Sequence, residues 1–173
     1  LIDFGLSFHV KKCIQKNKDI NIKYLYKFCI YDPTYKYWSL DHHILSYLLE
    51  KNINVTDVKL KEIIHSFYQN NLIVEFITDI TMYEKNVFEM YKEILDPSLS
   101  IQEQINRLFY DSYKTWDMYS ICYICLRFIH KQKLETEKYK DFVDLMKNCT
   151  HYDYTKRPNI TEQIDLFHKI SKE

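Results

Sequence analysis

Two groups of side chains in this sequence have types and spacings that could hold a metal ion. Cys122-x-x-Cys125 and Cys149-x-His151 together offer three sulfurs and an imidazole, a donor set that zinc accepts. Cys122 and Cys125, however, fall inside residues 116 to 130 (WDMYSICYICLRFIH), a stretch apolar almost all round the helical circumference, where free Cys behaves as a small hydrophobe. The hydrophobic reading is therefore preferred to zinc. His42-His43 has no acidic or Cys partner at metal-ligand spacing and reads as a surface pair near a helix start. Trp38 with Tyr35 and Tyr37 could stack nucleic-acid bases only beside a basic groove. A balance of 24 Lys+Arg against 24 Asp+Glu supplies no such groove, so this cluster is expected to pack against the fold. The five cysteines (Cys13, Cys29, Cys122, Cys125 and Cys149) are odd in number and are read as reduced thiols.

The elements that must position these residues are helical. LIDFGLSF, residues 1 to 8, reads as two short extended pieces around Gly5, the only glycine, a β-hairpin remnant. Residues 9 to 27 carry six lysines and little apolar periodicity, which predicts an exposed, mobile loop, and Asp32-Pro33 marks a turn. Leu40, Ile44, Leu45, Leu48 and Leu49 predict a helix beginning near Asp41; Val58, Ile63, Ile64 and Phe67 predict a second. Val87, Phe88, Tyr91, Ile94 and Leu95 predict a third, which must stop before Asp96-Pro97. Ser100 with Glu103 forms a capping box for a fourth helix carrying Ile105, Leu108 and Phe109. Residues 116 to 130 read as the buried hub, and Tyr139, Phe142, Val143 and Met146 as another helix. The last helix opens at Asn159 with Glu162 three positions on, and is expected to bury Ile160, Ile164, Phe167 and Ile170.

The chain has 173 residues, one domain's worth, with 46% apolar and 16% aromatic residues that suffice for a core. No apolar run approaches the roughly 18 residues that span a bilayer, and no basic-then-apolar leader is present, so an intracellular protein without a membrane partner is expected. A net charge of zero argues against nucleic acid as partner. Lys outnumbers Arg 21 to 3 and Ala is missing, the usage of an AT-rich genome. The opening at Leu1, inside an apparent strand, suggests a fragment.

Three segments in this order resemble the C-terminal lobe of a eukaryotic-type protein kinase: Asp3-Phe4-Gly5 within LIDFGLS, TWDMYSICYICL at 115 to 126, and CTHYDYTKRPNI at 149 to 160. The resemblance implies a mainly α, kinase-like C-lobe over residues 1–173. Within it, 1–41 would form the activation segment, 42–114 a helical and partly inserted region, and 115–173 the central and C-terminal helices. It implies that Asp3 holds the Mg²⁺ bridging the ATP phosphates, that Phe4 packs beneath it, and that Gly5 lets the backbone turn. Asp41, in WSLDHH, would stand for the glutamate that ends the activation segment and pair with Arg157. Asp117 would accept backbone N–H groups of the catalytic loop. The pattern Y-x-Y-W…L-D…L-L further resembles kinases of large DNA viruses, which would place the protein in host cytoplasm or a virion. The lysine-rich segment would be the activation loop, with Ser7, Tyr24, Tyr26, Thr34 and Tyr35 as phosphate acceptors by type.

Two departures matter. Asp41 and Asp117 lie 76 positions apart, so residues 50 to 110 look inserted or rearranged. The sequence also contains no glycine-rich phosphate loop, strand lysine, partner glutamate or H-R-D-x-x-x-x-N loop, on which phosphoryl transfer depends. The 173 residues alone are therefore expected to be inert, and to act only with a missing N-terminal lobe of the same protein. In that parent the implied reaction is transfer of the ATP γ-phosphate to a Ser or Thr hydroxyl of a protein substrate. The competing expectation is a pseudokinase or helical interaction module.

Overall fold

The computed structural model describes residues 9–76, 79–134 and 137–170. Asp3, Phe4, Gly5, Ser7 and the expected hairpin lie outside them. The described residues are mainly helical: α1 (Val10–Cys13), α2 (Ile22–Leu25), α3 (Leu40–Lys51), α4 (Asp57–Gln69), α5 (Ile80–Ile94), α6 (Ile101–Ser112), α7 (Trp116–Lys131), α8 (Lys140–Cys149) and α9 (Ile160–Ile170), with short 3-10 turns between several of them. Among these residues the sole β pairing is one antiparallel bridge, Ile14 to Ile20.

Local chemistry explains where most helices start and stop. Thr56 accepts the Lys59 N–H at the start of α4, and Asp79 accepts the Met82 N–H at the start of α5. Ser100 and Glu103 form both halves of the capping box of α6. Asn159 and Glu162 reciprocate in the same way ahead of α9, the Glu162 carboxylate accepting from the Asn159 N–H at 2.8 Å. Asn52 ends α3 in the left-handed region, φ 50°, which Asn tolerates better than most residues.

Packing departs from the pattern of the sequence in four places. The hub is α3, not α7: all ten residues from Leu40 to Leu49 are buried, with α6 and α4 packed on it and α5 packed on α4. The residues on the outer side of α7 remain in solvent, Ile121 and Ile124 at 52% and Phe128 at 60% exposure. An all-round apolar helix need not be central when the neighbouring elements cover only part of its circumference. Cys122, Leu126 and Ile129 of α7 form a second, smaller core with Val143, Met146 and Cys149 of α8.

The lysine-rich stretch is likewise no free loop. Its six lysines are exposed, but Cys13, Ile20, Leu25 and Cys29 are fully buried in the main core. It is bonded to α6 through Ile20 N–H to Asn106 Oδ1 at 2.9 Å, Gln102 Nε2 to the Ile20 carbonyl at 3.0 Å, and the Tyr110 hydroxyl to the Lys18 carbonyl at 2.6 Å. Four apolar anchors scattered at unequal intervals among six lysines do not make a sustained helical or strand period. His42 and His43 are not a surface pair but sit inside the core. Finally, α9 buries Gln163 and leaves Ile160, Ile164 and Phe167 about half exposed, the reverse of its expected facing; Ile170 is half-buried.

These facings predict opposite responses in two helices. Leu45→Ala in α3 should cost about 2–5 kcal/mol of unfolding free energy in urea, as for a fully packed core position. Phe128→Ala in α7 should stay within about 0.5 kcal/mol. A larger loss at Phe128 than at Leu45 would restore α7 as the hub.

Candidate functional site

The polar centre of the described residues is built from the start of α3, the start of α7 and the segment before α9. Ser39 delivers the chain in extended conformation into α3, so that Asp41 stands in the first turn, where a carboxylate is favoured by the helix dipole. A 3-10 turn, Tyr113–Thr115, leads into α7 and presents Thr115 and Trp116 to the same point. The 3-10 turn Tyr154–Lys156, opened by Asp153 accepting the Thr155 N–H, then swings Arg157 inward.

Arg157 Nη2 lies 2.7 Å from Asp41 Oδ1, and both side chains are completely shielded from solvent. The second carboxylate oxygen accepts the Trp116 indole N–H at 2.5 Å. Arg157 Nη1 donates to Thr115 Oγ1 at 3.1 Å and Nε to the His151 carbonyl at 2.6 Å, while the guanidinium lies over the Tyr119 ring, 4.9 Å from its centroid. A planar fork with several donors meets this demand; an ammonium could not. The arrangement satisfies both buried charges, which is the condition under which such a pair survives desolvation.

Beside this pair, His42 is sandwiched between Trp38 and Trp116, at 4.2 Å and 4.3 Å between ring centroids and 18° and 12° from parallel. Its Nε2 has no hydrogen-bond partner. His43 Nε2 is 3.0 Å from the Tyr35 carbonyl, which requires the proton on that nitrogen. Burial and the neighbouring His43 push the His42 pKa down to about 3, with Asp41 acting in the opposite sense. Burial pushes His43 down to about 4 against the Tyr35 hydrogen bond and Asp41. Both imidazoles are neutral near pH 7. The Trp38 cluster thus packs against the fold, Trp38 on His42 and Tyr37 edge-on to Tyr123 at 5.8 Å between centroids.

Of the residues singled out by the sequence, the fold brings together Asp41 and Arg157, separated by 116 positions. Asp117 lies in the first turn of α7, next to this centre in sequence, but its side chain is exposed. Asp3, Phe4 and Gly5 are outside the described residues. Among the described residues no group of three or more His, Cys, Asp or Glu is gathered where it could hold a metal ion, Cys122, Cys125, Cys149 and His151 included. No helix among them is long and apolar enough to cross a membrane. Sequence reasoning missed Trp116, Thr115 and Tyr119, and placed His42 at the surface where the structure buries it. The i, i+4 spacing of Trp38 and His42 and the Thr115-Trp116-Asp117 run were the available signals.

Two measurements test this centre. Arg157→Met leaves the Asp41 carboxylate buried without its cation and should cost about 3–5 kcal/mol of stability. Asp41→Leu combined with Arg157→Met should cost clearly less than the two single changes summed, because no lone charge remains; additive losses would show that the pair is uncoupled. The histidines set a pH dependence. Their folded-state pKa values lie below the ordinary 6.5, so the unfolded chain takes up protons first. Their contribution is complete above about pH 6.5 and is lost as the pH falls toward 4. His42→Phe, which retains a ring between the two indoles, should reduce the slope of stability against pH in this window by up to about 1.4 kcal/mol per pH unit. An unchanged slope would mean that His42 titrates normally in the folded chain.

No family model matches this sequence, no curated protein matches it, and no solved structure matches its fold.

Proposed function

We propose that this chain is the helical lobe of a eukaryotic-type protein kinase and contributes, within a larger polypeptide, to transfer of the ATP γ-phosphate to a Ser or Thr hydroxyl of protein substrates. The observation that carries the reading is the buried Asp41–Arg157 pair. A carboxylate following the 9–39 segment is held by the arginine of an R-P run that precedes the last helix, the relation the sequence resemblance implies. Such a pair fixes geometry more than it adds stability. On this reading it anchors the end of the activation segment to the helical platform.

The remaining roles follow from the same resemblance. Asp3 is the residue for Mg²⁺, with Phe4 and Gly5 shaping its turn, and the bound cation would offset charge on the transferring phosphoryl group. Asp117, exposed at the start of α7, is free to accept N–H groups from a catalytic loop supplied by the parent polypeptide. The narrower likeness to kinases of large DNA viruses belongs to this reading.

A specific observation favours a second reading, a helical interaction module without catalysis. α7 and α9 leave Ile121, Ile124, Phe128, Ile160, Ile164 and Phe167 about half or more exposed, apolar side chains of the kind that interaction surfaces use. The two readings separate in one experiment. The parent polypeptide, incubated with Mg-ATP and a generic protein substrate, should transfer labelled phosphate, and Asp3→Ala should reduce the rate by at least about 10²-fold, as for loss of a group that stabilises the transferring charge. Equal transfer by both proteins removes Asp3 from the metal site. No transfer by either, with ATP unbound, supports the interaction module.

A further inference from the structure

The outer face of α7 carries a pattern that the packing within the chain leaves unused. Asp117, Ile121, Ile124, Phe128 and Lys131 recur at intervals of 4, 3, 4 and 3 positions, the spacing by which a helix presents one continuous seam to a partner helix. All five are exposed. Cys122, Leu126 and Ile129, on the inner side of the same helix, hold it to α8.

The seam is apolar in the middle and oppositely charged at its ends. Asp117 lies in the first turn of α7 and Lys131 is the last residue. A second α7 laid antiparallel, with Ile124 facing Ile124 across a two-fold axis, brings Ile121 against Phe128 of the second copy and Asp117 against Lys131 of the second copy, and the symmetry repeats both contacts. A parallel alignment in register would set aspartate against aspartate and lysine against lysine, two like-charge contacts in place of two opposite ones. The seam is therefore complementary to itself in one direction only.

The surface beside the seam has room for the incoming side chains. An apolar groove of about 390 Å³ is lined by Met118, Ile121 and Cys125 of α7 together with Phe142 of α8 and Ile164 and Phe167 of α9. A second groove, sharing Cys125 and Phe142 with the first, continues along Ile124 and Phe128. In the antiparallel arrangement Phe128 of the second copy, which meets Ile121, stands at the mouth of the first groove as a knob before a hole.

We infer that α7 is a self-association helix, on whose Asp117-to-Lys131 seam a second copy of this chain docks in an antiparallel, two-fold arrangement, an inference that rests on the interaction-module reading and names the partner of that surface. In the dimer Asp117 meets a lysine instead of a catalytic loop. The contact uses the same patch on both chains, so it closes at two copies and does not propagate. The seam spans about four helical turns. Such a small interface exchanges with monomer at micromolar concentration.

The test is analytical ultracentrifugation of the full 173-residue chain over a concentration series from about 1 to 200 µM. The weight-average mass should rise with concentration from 21.3 kDa toward twice that value and level off there. Ile124→Glu, at an exposed site that the monomer tolerates, sets two carboxylates on the axis and should raise the dissociation constant at least about 30-fold. Asp117→Lys and Lys131→Asp should each weaken the dimer about tenfold, by turning two attractive contacts into two repulsive ones. The double swap Asp117→Lys with Lys131→Asp should restore the original constant, and a mixture of the two single variants should form a heterodimer tighter than either variant makes alone. Circular dichroism checks that each variant keeps its helices. The proposal is overturned by a mass that stays at 21.3 kDa throughout, by growth past two copies, by a dimer indifferent to Ile124→Glu, or by charge changes whose losses add in the double swap. A chain that stays monomeric leaves this face to another occupant, such as a further segment of the parent polypeptide. The interaction-module reading then still stands or falls on ATP binding and phosphate transfer, so the two fail separately.

Discussion

A carboxylate and a guanidinium placed entirely out of water constrain everything around them. Asp41 and Arg157 persist in the interior because each of their polar atoms is engaged. The carboxylate is held by Arg157 and the Trp116 indole, and the guanidinium by Asp41, Thr115, the His151 carbonyl and the face of Tyr119. Satisfying them requires that the start of α3, the start of α7 and the turn before α9 meet at one point. The connections are long in sequence, and no local preference would bring them together.

The rest of the main core is arranged so that this point stays dry. α3 runs through the middle with α4 and α6 around it, and aromatic rings close the site: Trp38, His42 and Trp116 in a stack, with Tyr91, Tyr119 and Tyr68 buried nearby. Neutral histidines suit this position, since a ring that is stacked on both faces and cut off from solvent cannot carry charge cheaply. The 9–39 segment is drawn in by Cys13, Ile20, Leu25 and Cys29, while the six lysines between residues 9 and 27 face outward. Much of this region is packed down against α6 rather than hanging free.

The α7–α8 side of the molecule follows a different rule. Its small core of aliphatic, sulfur and aromatic side chains is flanked by apolar residues left in solvent, and α9 covers it incompletely. Met and Cys fill such irregular space without demanding one geometry. Adaptability there contrasts with the rigid polar network a few residues away, and Cys149 and Arg157 sit at the two ends of the short segment that joins them.

The amino-acid sequence by itself determined the mainly helical class, most helix limits and the caps at Ser100 and Asn159, because those features depend on residues within four or five positions of one another. It also carried the candidates Asp41 and Arg157, which came from motif order and not from any pattern of burial. Tertiary structure alone decided that α3 and not α7 is the hub, that His42 and His43 are interior, and that α9 turns its isoleucines outward. Polar residues along α3 disguise a buried helix until their partners are known, and those partners come from 75 and 116 positions away in Trp116 and Arg157. Periodicity records which faces could be buried; only the placement of the other helices determines which of them are.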